Sequence, residues 1–222
     1  MKIHFISLNE TFINEAKELF GMTTIPITFE IGDIQNVPRK GKAFVSPANS
    51  LGFMDGGIDL VLSRKMFPGC EPKVKEMIAE IGKKTTLGRP YLPVGSALWF
   101  KVNNGESVLI SAPTMFLPHD VSDTMNAYWA MIACLQAMQK VEEETEGVID
   151  TLVCTSLCCG VGRMDEETSA IQIRQAVRDF EIDKLFPEVE DFGIQYVILP
   201  SRDDVQPKNF DNREIGSTWP FL

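Results

Sequence analysis

The sequence predicts an α/β fold: a three-layer α/β/α sandwich with helices on both faces of a central mixed, mostly parallel sheet. Strand-like and helix-like segments alternate along the whole chain, which is the pattern of such folds. The segment VIDTLVCTSL (148–157) is almost continuously apolar, which is typical of a strand buried on both faces. No linker, internal repeat or low-complexity segment divides the 222 residues, so we expect one domain spanning 1–222.

The N-terminal part predicts three strands and one helix. KIHFIS (2–7) alternates apolar and polar residues like a strand. NETFINEAKELFG (9–21) has apolar residues at helical spacing and a glycine as its stop signal, so a helix is expected. IPITFEIG (25–32) places its apolar side chains on one face of a second strand, and KAFVSPAN (42–49) contains a third.

The middle of the chain predicts three helices and a pair of strands. A helix begins at Asp55 or Gly57 and is ended by the Pro-Gly pair at 68–69, and an amphipathic helix follows at 71–82. SALWFKV (96–102) and SVLISAP (107–113) are expected to pair across the Asn-Asn-Gly turn between them. A long helix is predicted from 122 to about 144.

The C-terminal part predicts the strand at 148–157 and then the helix EETSAIQIRQAVRDF (166–180). IQYVILP (194–200) is expected to form the last strand. From about residue 201 the sequence is polar and contains prolines, so we expect an irregular tail.

The charge and the cysteines limit the classes of function. With 21 basic and 31 acidic residues the net charge is −10, which makes nucleic acid an unfavourable partner but leaves room for a small anionic ligand. The five cysteines are odd in number and lack zinc-site spacing, so we expect reduced thiols, no metal and no cofactor. No signal peptide or membrane-spanning run is present, so a cytoplasmic protein without a membrane partner is expected.

Three polar turns follow predicted strands: GDI (32–34), PANSLGFMDGGID (47–59) and SLCCGVGRMDEE (156–167). Ligands of α/β sheets bind beyond the carboxyl ends of the strands, so these turns are expected to line one crevice. In the first, Asp33 could accept from an exocyclic amine such as that of adenine, and the Ile34 N–H could donate to a ring nitrogen. A simple turn cap at Asp33 is the alternative.

The second turn carries a carboxamide, several glycines and two carboxylates. Asn49 can bond to sugar hydroxyls, Gly56 and Gly57 allow close approach of the backbone, and Asp59 could orient or deprotonate a water. The alternatives are that Asp55 caps the following helix and that Asp59 lies on its solvated face.

The third turn places Gly160 and Gly162 between a buried strand and a helix, where backbone N–H groups can hold a phosphate and Arg163 could add a positive charge. A plain tight turn is the alternative. The segment is neither a dinucleotide fingerprint nor a Walker A loop, and the spacing from either cysteine to Arg163 does not fit a cysteine phosphatase. We therefore interpret Cys158 and Cys159 as small packing residues.

Together the three turns resemble the macro domain, an ADP-ribose-binding module. GDI is similar to its adenine-binding motif, VSPAN (45–49) to its VNAAN strand and GGID (56–59) to its GGVD or GGVA loop, and CCGVGR (158–163) stands where the family has STGIYG. The resemblance spans roughly 27–199. PANSLGFMDGGIDL together with APTMFLP (112–118) is similar to a bacterial and phage-type branch, which implies a host cytoplasm if the protein is phage-encoded.

The resemblance implies that the protein binds ADP-ribose or a close derivative, free or on an ADP-ribosylated protein. It also implies that Asn49 and Asp59 act on the distal ribose and an attacking water if the protein hydrolyses ADP-ribosyl linkages. A non-catalytic ADP-ribose reader, or a partner-binding protein with an altered pocket, remains an alternative. The implied ligand-binding residues are Asp33, Ile34, Asn49, Asp55, Gly56, Gly57, Cys158, Cys159, Gly160, Val161, Gly162 and Arg163.

Overall fold

A computed structural model describes residues 1–21 and 23–185 of the chain. The predicted strand at 194–200 and the tail from 201 lie outside the described residues. Within the described part no helix is both long enough and apolar enough to span a bilayer.

A mixed sheet of six strands forms the centre of the described structure, and its order is β2-β1-β8-β3-β7-β6. Its strands are β1 (Lys2–Ser7), β2 (Ile27–Ile31), β3 (Lys42–Ser46), β6 (Leu98–Val102), β7 (Ser107–Ser111) and β8 (Thr151–Cys154). Four neighbouring pairs are parallel, and only the edge strand β6 runs antiparallel, against β7. The predicted mixed, mostly parallel sheet is confirmed.

The central position of β8 in the sheet explains why its sequence is so apolar. It lies between β1 and β3, with Leu152 opposite both Ile3 and Ala43. Leu152, Val153 and Cys154 are all buried, because helices cover both faces of the sheet at this point. A central parallel strand has no solvated face, so it loses the alternation of an edge strand.

Helices pack on both faces of the sheet and complete the three predicted layers. One face carries α1 (Glu10–Leu19), α4 (Asn126–Glu144) and α5 (Glu166–Leu185), whose apolar residues form one core with Ile3 and Phe5. The other face carries α2 (Gly57–Val61), its π-helical continuation Leu62–Met66 and α3 (Cys70–Ile81), which pack on Ile6 and Phe44. Neighbouring residues of β1 thus face opposite cores, as the pleat requires.

Some element boundaries differ from the sequence-based expectation. Helix α4 begins at Asn126 rather than at 122, because Asp120 accepts from the backbone N–H and the hydroxyl of Ser122 and so holds a separate turn. Helix α5 extends to Leu185, beyond the predicted end at 180. A two-stranded hairpin of β4 (Lys83–Lys84) and β5 (Pro90–Tyr91) was not predicted, since two-residue strands leave no periodic pattern.

Candidate functional site

The loops after β3, β7 and β8 line a cleft of about 170 Å³ at the carboxyl ends of these parallel strands. Folds of the α/β class bind their ligands at this end of the sheet. The sequence-predicted site residues that line it come from two loops, and they are Asn49, Asp55, Gly56, Gly57, Asp59, Cys158, Gly160, Val161 and Gly162.

A larger groove, of about 420 Å³, lies against the amino-terminal halves of β1, β3 and β8 and against β2. Lys2, His4, Lys42 and Thr151 line it, and each is near the amino end of its strand. The imidazole Nδ1 of His4 is already 2.8 Å from the hydroxyl of Thr28. Size alone would favour this groove, but the convergence of the polar loops favours the cleft as the candidate functional site.

Asn49 lies on the cleft wall, and its side chain is bonded to its own loop. The carboxamide oxygen accepts from the backbone N–H of Leu51 at 3.0 Å and of Phe53 at 3.4 Å. Its NH₂ group donates to the carbonyl oxygen of Phe53 at 3.4 Å. Asn49 therefore shapes the loop after β3, in the manner of the local side-chain bonds that asparagine commonly makes.

Asp59 lies in the first turn of α2, partly buried on the cleft wall. The hydroxyl of Ser46, the last residue of β3, donates to its Oδ1 at 2.6 Å. Ser46 itself is fully buried. The bond joins the end of the strand to the start of the helix across the loop between them, so the carboxylate has a defined position.

The electrostatics of the cleft bring the titration of Asp59 close to neutral pH. Burial raises the pKa of this carboxyl from 3.8 to about 7, the Ser46 hydrogen bond lowers it in part, and the charge of Asp55 raises it further. Asp55 is exposed at the rim of the cleft. Among the described residues lining the cleft, these two aspartates are the only ones of charged type. A group that titrates near neutral pH can both take up and release a proton there.

The loop after β7 forms a second wall, which the sequence-based site list omitted. The Ser50 N–H donates to the carbonyl oxygen of Met115 at 2.8 Å, and the Thr114 hydroxyl donates to that of Pro47 at 3.3 Å. Asn126, at the start of α4, donates to the carbonyl oxygen of Thr114 at 2.8 Å. These bonds tie the β3 and β7 loops together, and Thr114 and Met115 both line the cleft.

The loop after β8 closes on itself in a tight turn. The Arg163 N–H donates to the carbonyl oxygen of Gly160 at 3.1 Å, and the Met164 N–H donates to that of Cys158 at 3.1 Å. Cys158 and Arg163 have left-handed backbone, with φ of 66° and 56°. Non-glycine residues rarely adopt this conformation, and it often accompanies functional loops.

Not every residue predicted for this loop lines the cleft. Cys158 does, and burial raises the pKa of its thiol well above the usual range. Cys159 does not; its thiol lies 3.4 Å from the carbonyl oxygen of Leu157, and burial raises its pKa too. The guanidinium of Arg163 is exposed and lies 3.9 Å from the Asp120 carboxylate, outside the cleft. All five cysteines are free.

Asp33 and Ile34 also lie outside the cleft lining. The Asp33 carboxylate caps the 3₁₀ turn Ile34–Asn36: one oxygen accepts from the Gln35 N–H at 2.9 Å and the other from the Gln35 side chain at 2.8 Å. The Ile34 side chain is buried in the core on the α3 side. Asp33 therefore caps the turn, as the alternative interpretation of the sequence expected. A role of Asp33 and Ile34 in adenine recognition stays a prediction.

Two residues of the site could not be identified from local motifs. Ser46 lies behind the cleft lining and has the sequence context of an ordinary strand residue, so that only its position at the strand end distinguishes it. Phe53 is exposed at the cleft and has the Lys75 ammonium 4.1 Å from its ring centroid, a contact that joins distant segments. In the described part of the chain, no group of three or more His, Cys, Asp or Glu side chains is placed to hold a metal ion.

No protein-family model and no curated protein matches the sequence. Solved structures do resemble it. The macrodomain of Mycobacterium tuberculosis DarG has a TM-score of 0.51 and 17% identity, over 68% of this chain and 88% of that one. A mutant of the Oceanobacillus iheyensis macrodomain with ADPR has a TM-score of 0.50 and 15% identity, over 67% and 74% of the two chains. The chain therefore has the macrodomain fold.

Proposed function

We propose that the cleft binds ADP-ribose or a closely related nucleotide derivative. The observation that carries this proposal is the meeting of the β3 and β8 loops, with their GGID and CCGVGR segments, in one cleft of a macrodomain fold. One structural neighbour of that fold was solved with ADPR. The partner of the cleft is then free ADP-ribose or an ADP-ribosylated protein, encountered in the cytoplasm.

The strand order supports a direction for the ligand. Asp33 follows β2, the Gly160–Gly162 loop follows β8 and Asp59 follows β3, in the spatial order β2-β1-β8-β3. Three strand spacings separate the first from the last, a distance of about 14 Å. We assign the adenine to the Asp33 end, the diphosphate to the glycine loop and the distal ribose to Asp59, the order of these groups in ADP-ribose.

The size of the cleft fits this assignment. Its volume of about 170 Å³ is below the roughly 300–1,000 Å³ of sites that enclose a whole drug-sized ligand. The cleft would hold the distal ribose and part of the diphosphate, and the adenosine would extend towards β2. The Asp33 carboxylate can accept a further bond while it caps its turn, since each oxygen has two acceptor sites.

An acidic cleft needs another source of attraction for a diphosphate. Asp55 and Asp59 bring carboxyl groups to it, and Arg163 is directed to Asp120 instead. We assign the phosphate contacts to backbone N–H groups of the glycine loop, because oriented N–H groups bind phosphate without a full charge. The raised pKa of Asp59 helps, since a carboxyl group that is only partly ionised near neutral pH repels the ligand less than a full charge would.

Hydrolysis of an ADP-ribosyl linkage is the second part of the proposal. The observation favouring it is a carboxyl group with a pKa of about 7 on the wall of the cleft, held by Ser46. The oxygen of a water would bond to the anomeric carbon of the distal ribose while the bond from that carbon to the modified group breaks, and the modified group would leave with the electron pair of that bond. Asp59 would accept the proton of the water, which is the work of a general base.

Two experiments test these parts separately. Calorimetry with ADP-ribose tests binding, with ADP and ribose 5-phosphate as controls that each carry only part of the ligand. A release assay on proteins carrying acyl-linked or glycosidic ADP-ribose tests hydrolysis. Binding without release would leave the non-catalytic reader, and no binding of ADP-ribose would favour a partner-binding protein on this fold.

A further inference from the structure

Ser46 lies behind Asp59, and it does not line the cleft. It is the last residue of β3 and is fully buried, and its hydroxyl donates to Oδ1 of Asp59 at 2.6 Å. A serine hydroxyl has a single proton, so this bond uses its donor capacity completely. The short distance is in the range of a hydroxyl that donates to a carboxylate.

The neighbouring strand offers a matched comparison. Ser111 ends β7 and is in register with Ser46 on β3, so the two side chains leave the same face of the parallel pair. Ser111 is also fully buried, yet its hydroxyl has no hydrogen-bond partner among the described residues. Both serines are buried at a strand end, and the bond to Asp59 is what distinguishes Ser46 from Ser111.

We propose that Ser46 is a positioning residue for Asp59: its hydroxyl occupies Oδ1, fixes the carboxylate on the cleft wall and leaves Oδ2 for a water beside the ligand. This inference rests on the proposed function, because it assigns Asp59 to the water. Without the bond the carboxylate could turn about its side-chain dihedrals, and a general base must be within hydrogen-bond reach of its proton.

The groups around Asp59 determine how its pKa depends on the bond from Ser46. Burial favours the neutral acid, and so does the charge of Asp55 on the same loop. The Cys70 thiol, on α3, is close enough that the Asp59 charge helps to raise its pKa to about 11, after the larger effect of burial. A neutral thiol does not stabilise the carboxylate by charge. Among the groups acting on Asp59, only the Ser46 hydrogen bond favours its charged form.

The test titrates Asp59 directly in the whole chain. The carboxyl carbon of Asp59 is followed by NMR with pH, in protein labelled at aspartate, and Asp59→Asn identifies its signal. We expect Ser46→Ala to raise the pKa of Asp59 by about half to one pH unit, because the hydroxyl bonds more strongly to the charged carboxylate than to the neutral acid, by about 1 kcal/mol. The pH profile of ADP-ribose release should shift upward by the same amount, and Ser46→Thr, which keeps the hydroxyl, should restore it.

Ser111→Ala is the control, since it removes an equally buried hydroxyl from the paired position. It should leave the titration of Asp59 unchanged. An unchanged titration in Ser46→Ala, or an equal shift in both alanine variants, would overturn the role of Ser46 while ADP-ribose release by the wild type continued. A wild type that neither binds nor releases ADP-ribose would instead overturn the proposed function, and the NMR titration would still report whether the bond holds Asp59.

Discussion

The backbone N–H of Val121 donates to the carbonyl oxygen of Gly162 at 2.9 Å, and this bond joins the loop after β7 to the loop after β8. Gly162 is buried at the contact. A Cβ at this position would come within 2.8 Å of Cγ2 of Val121 and closer still to the carbonyl oxygen of Cys158. Only glycine therefore allows the two loops to approach this closely.

We expect Gly162→Ala to destabilise the protein by about 1–3 kcal/mol, the usual cost of forcing an extra group into a packed site. The carbonyl oxygen of Cys158 is backbone and cannot move aside as a flexible side chain would. Denaturant unfolding measures the change. Gly160→Ala is the control, since a Cβ there meets no atom within 4 Å, and equal destabilisation by both variants would contradict the packing argument.

Gly160→Glu tests the phosphate assignment, because Gly160 lines the cleft and has open space around it. The protein should fold normally, while ADP-ribose binding should be lost through bulk and through repulsion between the new carboxylate and the diphosphate. Calorimetry measures the affinity, and circular dichroism checks the fold. If the glutamate variant binds ADP-ribose like the wild type, the diphosphate lies elsewhere.

The six strands of the described sheet and its mixed, mostly parallel character could be predicted, because each of these strands carries a local signal. Strand β8 is apolar after its first residue, Thr151, and the Asn-Asn-Gly turn between β6 and β7 takes left-handed backbone at Asn103 and Asn104, which such residues tolerate. The convergence of the β3 and β8 loops then follows from the parallel arrangement, since the carboxyl ends of parallel strands lie at the same end of the sheet. These parts depend on periodicity and topology, which a single sequence contains.

The contacts that define the cleft could not be predicted in the same way. An asparagine can bond to a ligand or to its own loop, and only the structure shows that Asn49 bonds to its loop. The pairing of Ser46 with Asp59 joins residues 13 positions apart, and no residue type requires it. The β7 wall at Thr114 and Met115 was missed because its segment holds neither charge nor glycine.

Asp33 should determine selectivity for adenine if the ligand lies along the sheet edge as assigned. The loss of a hydrogen bond to a charged acceptor costs about 1.5–3 kcal/mol, so ADP-ribose should bind tens of fold more weakly. Asp33→Ser is the informative variant, because serine can still cap the turn at Gln35 but is too short to replace the carboxylate. Calorimetry should show the loss for ADP-ribose and none for ribose 5-phosphate; unchanged affinity for ADP-ribose would contradict the assignment.

The stability of the protein should depend on pH through Asp59. Its pKa is about 7 in the folded state against 3.8 in the reference state, so between these values the folded protein retains a proton that the unfolded chain has lost. The stability contributed by this group is present below pH 4 and declines as the pH rises to about 7. Asp59→Asn keeps an acceptor for Ser46 without the ionisation, so it should be more stable than the wild type at pH 8.

The size of this gain follows from the shift, since one pKa unit corresponds to about 1.4 kcal/mol, and for this partly exposed side chain we expect a few kcal/mol at most. Thermal or denaturant unfolding of both proteins from pH 4 to pH 8 measures it. The difference should fade towards pH 4. A gain that is the same at every pH would mean that the ionisation of Asp59 does not limit stability, and Asp123→Asn, at an exposed carboxylate outside the cleft lining, serves for comparison.

The proposed hydrolysis also depends on Asp59. If Asp59 accepts the proton of the attacking water, Asp59→Asn should lower the rate of ADP-ribose release by about 10²-fold or more, because an amide cannot act as a base. ADP-ribose affinity should remain close to that of the wild type, since the amide retains the size of the side chain and the bond from Ser46.

Asp150→Asn is the control for this prediction. The Asp150 carboxylate pairs with Lys2 at the amino end of β8, at the opposite end of the sheet from the cleft, so release should be unaffected. Full release by Asp59→Asn would show that another group holds the water, and Asp55, the second carboxylate of the cleft, would be the next residue to substitute.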